Sequence, residues 1–147
     1  MATTMTGQPR GQVPAKVQPA KSQQSFAGAV KTYCRSLNKP DEVRNFPKGK
    51  LELVNSGDTA IGRATFQPGW KWSESVGPIA GTKSCEESHI GYCLAGHMRI
   101  LMDSGEQLDI KAGDGFTLSP GHNAEVLGNE PCILLDVKGF KNYAKPS

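Results

Sequence analysis

The chain has 147 residues, 37% of them hydrophobic and 21% charged, with a formal net charge of +3. That is material for one domain rather than two, and no run of 18 apolar residues offers a membrane span. Residues 1–40 hold six basic side chains and no acid, whereas the remainder carries 11 basic and 14 acidic ones, a net of −3. The part expected to fold therefore lacks the basic surface that grips phosphates, and nucleic acid is not expected as a partner.

In chain order, "MATTMTGQPRGQVPAKVQPAKSQQS" is rich in Gln, Pro, Thr and Gly and has little to bury. Such composition cannot offset the entropy of ordering, so a disordered basic tail is expected over 1–35 and a folded domain over 36–147. The tail has no short apolar stretch of the secretory kind, which points to a soluble, cytoplasmic protein without a membrane partner. Cys34, Cys85, Cys93 and Cys132 contain no CxxC pair and are expected to be free thiols.

Short β-like runs separated by turn residues follow. "KLELVN" (50–55) meets "SGD", and "TAIGRATF" (59–66) alternates until it stops at Pro68 and Gly69. "SHIGYCLAG" (88–96) leads to a small-residue turn, after which "HMRILM", "EQLDI", "GFTLS", "AEVL" and "PCILLDV" (131–137) are divided by "DSG", "KAGD", "SPGHN" and "GNE". About eight strands at such spacing predict an all-β sandwich or barrel with little helix.

The succession "PGWKW", "HIGYCLAG", "DSGE" and "AGDGFTLSPGH" resembles the cupins, in particular small single-domain cupins of undefined activity. The likeness spans about residues 41–137 and implies a double-stranded β-helix, the cupin jelly-roll barrel, with a site near one mouth. It also implies a transition metal held by histidines and a glutamate. Here the pattern departs: His89 stands where that glutamate is usual, no histidine lies around Lys83–Cys85, and His122 stands two places before the usual histidine position, occupied by Ala124.

Strand alternation supplies a separate argument. If 85–94 is extended, Cys85, Glu87, His89, Gly91 and Cys93 share one face, and the cupin topology brings His122 near it. Sulfur, oxygen and nitrogen donors together suit zinc or iron and not magnesium or calcium. The candidate metal ligands are therefore His89, His122, Glu87 and Cys85; the alternative is that the two imidazoles are satisfied hydrogen-bonding groups at a barrel rim. Cys93 leaves room for a ligand, Trp72 offers a wall to stack on, and Arg63 could pair a ligand carboxylate or point to water.

Three functions remain open from sequence: a metal-dependent enzyme on a small organic substrate, with His89 or Glu87 moving protons; a metal-free ligand-binding module; and a structural homodimer. "AGDG" lacks the Lys-Ser/Thr ending of a phosphate loop and reads as a turn. His97, at a turn, is assigned no role.

Overall fold

The computed structural model describes residues 32–146; the expected tail up to residue 31 lies outside the described residues. Nine strands are present among them: β1 (Glu42–Phe46), β2 (Gly49–Ser56), β3 (Thr59–Phe66), β4 (His89–Ala95), β5 (His97–Met102), β6 (Gln107–Lys111), β7 (Gly115–Leu118), β8 (His122–Val126) and β9 (Cys132–Asp136). Two single-turn helices, α1 (Trp72–Ser75) and α2 (Gly77–Ala80), interrupt them. All pairings are antiparallel, in a six-stranded sheet ordered β1-β2-β3-β9-β4-β7 and a three-stranded sheet ordered β6-β5-β8. The two sheets enclose one apolar core, the double-stranded β-helix that the short alternating runs predicted.

Alternation explains which side chains turn inward. On β3, Ala60, Ala64 and Phe66 are buried while Ile61 stands outward; on β4, Cys93 is buried and Ile90, Tyr92 and Leu94 are exposed. Gly91 sits where β4 crosses β9, and a Cβ there would run into the Leu135 carbonyl oxygen, so only glycine permits this approach. The quoted run 85–94 is not one strand: regular pairing begins at His89, and Cys85 makes an isolated bridge to His122 in the smaller sheet.

β1 is an element that the hydrophobic pattern did not reveal. Its inward side carries the half-buried Glu42 and Arg44 and the buried Phe46, and its solvent side carries Val43. Arg44 turns inward because residues 137–146, a strap that follows β9 and joins no sheet, lie there. The Arg44 guanidinium donates to the carbonyls of Phe140 (3.1 Å), Lys141 (2.7 Å) and Tyr143 (2.6 Å) and also pairs with Glu42. Phe140 and Tyr143, thus held, are buried against the barrel mouth. Before β1, the Tyr33 hydroxyl donates to the Asn55 carbonyl and Arg35 pairs with Asp41, so the described residues ahead of the barrel lie on β2.

Candidate metal centre at the barrel mouth

His89 opens β4 and His122 opens β8, so both imidazoles sit where strands enter the barrel from the same end. Cys85 is fixed there by backbone pairing: its N–H donates to the His122 carbonyl at 2.8 Å, and its carbonyl accepts from Gly121 N–H at 2.8 Å. Gly121 turns at φ 87°, in the left-handed region that glycine adopts without strain. One donor atom from each of Cys85, His89 and His122 falls within 4.8 Å of the others, and all three residues are buried.

Each imidazole is oriented by a partner behind it. His89 Nδ1 contacts the Asp136 carboxylate, which places the proton on Nδ1 and leaves the Nε2 lone pair facing Cys85 Sγ at 3.5 Å. The other oxygen of Asp136 accepts from the N–H groups of Lys138 (2.6 Å) and Gly139 (2.8 Å), so the carboxylate is anchored although fully buried. A Cβ on Gly139 would strike the His89 ring, and only glycine lets the strap pass this close. His122 Nδ1–H donates to the Ser119 carbonyl at 2.7 Å, which leaves its Nε2 lone pair available. The rings meet edge to face with centroids 5.4 Å apart.

Two imidazole lone pairs and a thiol thus converge. Ligands at about 2.3 Å (sulfur) and 2.0 Å (nitrogen) on one tetrahedral zinc lie roughly 3.5 Å apart, the separation that Cys85 Sγ and His89 Nε2 have here. The donors fit such an ion, and a carboxylate or carbonyl behind each histidine is the arrangement that fixes ligand tautomers in metal sites. Burial raises the Cys85 thiol to about 11; a hydrogen bond from the Glu87 N–H works against this, and the charges of Glu87, Glu86 and Asp136 add to the rise. Burial lowers His122, favouring the neutral ligand form. Burial, together with the charges of Cys85 and Asp136, keeps the Tyr143 phenol protonated.

The other residues singled out from sequence fall elsewhere. Glu87 is half-buried and lies outside the cluster, on the wall of an outer cavity that it shares with Cys85 and Trp72. Trp72 is 2% exposed, and neither its indole N–H nor that of Trp70 has a hydrogen-bond partner among the described residues. Cys93 is buried deeper along β4 beside Leu134 of β9, its thiol donating to the Ala95 carbonyl. Arg63 stands on the outer face of β3, paired with Glu52 at 2.7 Å and donating to the Leu37 carbonyl at 3.2 Å. His97 pairs with Asp109 at 3.0 Å on the smaller sheet. All four cysteines are free thiols.

Asp136, Phe140 and Tyr143 were not read from sequence. An aspartate ending the apolar run "PCILLD" is a signal of a buried acid, and the aromatics of "GFKNY" after the last strand hint at something to cover.

No protein-family model matches the chain, and no curated protein matches it in sequence. Solved structures do. The oxalate decarboxylase of Lactobacillus farciminis, in its formate complex, aligns with a TM-score of 0.54 and 22% identity over 76% of this chain; the chain spans 34% of that protein's length. A double-stranded β-helix protein from Klebsiella pneumoniae aligns with a TM-score of 0.50 and 20% identity over 86% of this chain and 93% of its own. A sugar phosphate isomerase of the cupin superfamily from Silicibacter pomeroyi aligns with a TM-score of 0.51 and 15% identity over 71% of this chain and 73% of its own. The chain is a small cupin-fold domain.

Proposed function

We propose that this domain, residues 36–147 with 1–35 as a basic tail, is a metal-binding cupin. It holds one zinc or iron ion on Cys85, His89 and His122 and acts on a small organic substrate. The observation that supports this reading is the pair of imidazoles whose free nitrogens converge with a thiol while Asp136 and Ser119 orient them from behind. Three protein donors leave a coordination position for water or substrate, as in catalytic rather than structural zinc sites. A bound ion would supply Lewis acidity; Asp136 holds the His89 proton, and Glu87, on the wall of the outer cavity, is the group placed to exchange protons with solvent.

The test is elemental analysis of the chain purified without a metal-binding tag, paired with thermal unfolding under added zinc, iron or manganese. Stoichiometric metal, lost in His89→Ala while the barrel still unfolds cooperatively, is the expected result. No metal and no shift in melting temperature with any of the three leaves the metal-free reading. That reading has one observation in its favour: Cys85 Sγ and His89 Nε2 already satisfy each other at 3.5 Å.

We also read the chain as a cytoplasmic homodimer. No helix of the described residues is long and apolar enough to cross a membrane. The dimer reading is supported by the outer face of β3, β9 and β4, where Ile61, Ile90, Tyr92, Leu94 and Val137 are each 43–50% exposed. Leu135 joins them, in register with Arg63 on one side and Tyr92 on the other. Arg63, the charge within this face, is paired with Glu52, which it shares with Lys50 at the face's margin; the rest is apolar, and the surface it complements is an apolar one such as its own copy.

A further inference from the structure

The histidines face a space of only about 30 Å³, bounded by Trp72, Phe140 and Tyr143 among others. That holds an ion or a water and excludes any organic molecule. Beyond Trp72 and Tyr143 lies a second cavity of about 300 Å³, between the helices α1 and α2, segment 81–88 and the strap. Trp72 and Tyr143 wall both spaces, and Cys85 of the donor cluster lines the outer one.

We propose that the outer cavity is a ligand-binding chamber and that Tyr143 is the door between it and the histidines. The inference rests on the metal reading only for what the ligand meets inside. The door is built to move as a unit. Residues 137–146 make no sheet ladder, and one side chain, Arg44, supplies the bonds to three of their carbonyls. Phe140 and Tyr143 pack on His89 with ring centroids 5.4 and 5.8 Å away, so lifting the strap uncovers that imidazole directly. The strap lies outside the sheet ladders and is tethered by side chains, Arg44 on its carbonyls, Asp136 on the N–H groups of Lys138 and Gly139, and Lys141 on Asp58; lids are drawn from segments outside the ladders.

The chamber's walls fix the class of ligand. Trp72, Val76, Ala80 and Pro146 form an apolar lining, Glu86, Glu87 and Lys145 bring charge of both signs to the same walls, and the volume lies at the lower bound of small-molecule sites. A small, flat, mostly apolar molecule with one polar group fits these walls, its body against Trp72 and its polar end toward the charged side chains.

The test uses the full chain, with diethylpyrocarbonate to modify reachable histidines in the metal-free protein and dipicolinate to strip zinc from the loaded protein. Tyr143→Ala is expected to speed modification of His89 and His122, and zinc loss, by about tenfold or more with zinc affinity little changed. Arg44→Gln, which frees the strap and keeps the phenol, is expected to act in the same direction and serves if Tyr143→Ala does not fold. Ala80→Phe, which fills the outer chamber, and millimolar p-cresol, a flat probe with one oxygen, are each expected to slow both reactions in the wild type. Wild-type rates in Tyr143→Ala or Arg44→Gln would overturn the door; undiminished rates in Ala80→Phe and with p-cresol would overturn the chamber. A protein that takes up no zinc yet shows the histidine pattern retains the door and loses the metal.

Discussion

At the scale of single residues, the centre depends on a carboxylate that touches no candidate ion. Asp136→Asn keeps the shape and the hydrogen bonds to Lys138 and Gly139 but removes the charge behind His89 and permits the wrong tautomer. Losses of about 10–100-fold in zinc affinity are expected, with Asp136→Ala worse because two N–H groups then lose their acceptor; competition with a chromophoric chelator measures both. Proton linkage sets the pH dependence. Because burial raises the Cys85 thiol to about 11, zinc displaces one proton from it at neutral pH. Apparent affinity should therefore rise about tenfold per pH unit between about pH 7 and 9. The lowered His122 works in the same direction on stability: its folded state binds fewer protons than the unfolded one, so stability present above about pH 6.5 is lost as pH falls toward the lowered value. Melting curves of the metal-free chain between pH 7 and 5 test that sign, and His122→Asn should flatten the slope.

At the scale of elements, the strands were legible because short alternating runs met Gly, Pro and Asp at their ends, and the barrel followed from their number and order. β1 was not, because two of its three inward residues, Glu42 and Arg44, are charges, Phe46 alone is apolar, and the carbonyls that Arg44 meets lie in a segment without periodicity. Likewise Cys85, His89 and His122 announced themselves as donors. Asp136, 47 residues from the histidine it orients, became a partner only when β9 docked beside β4. Contact between these two strands also gives an element-scale test. Gly91→Ala would drive a methyl group toward the Leu135 carbonyl and the Phe116 ring, at 2.7 Å from the latter, in a place where backbone must give way. Destabilisation of about 1–3 kcal/mol is expected, roughly 5–15 °C in melting temperature for a domain of this size.

At the scale of the whole molecule, part of one sheet turns a patch of apolar side chains outward. The apolar face of β3, β9 and β4 breaks the apolar-in, polar-out rule that an antiparallel sheet follows when its outer side meets water. A two-fold copy would cover it with itself. Light scattering after gel filtration is expected to give the mass of a dimer at micromolar concentration, and the double substitution Tyr92→Lys with Leu94→Lys a monomer with an intact barrel. A wild-type monomer at every concentration would leave this face without its copy.

The position of β9 has a consequence for how the chain is made. It lies between β3 and β4 in the sheet yet follows both in sequence, so during synthesis those two strands wait with unsatisfied edges until it emerges. Asp136 arrives on the same strand, and the donor cluster therefore acquires its orienting carboxylate only at the closing step. If β9 docks after the rate-limiting barrier, an ion held there joins later still. Zinc should then slow unfolding in stopped-flow experiments by nearly its full stabilisation and leave the refolding rate unchanged; acceleration of refolding by zinc would instead mean that the cluster forms early.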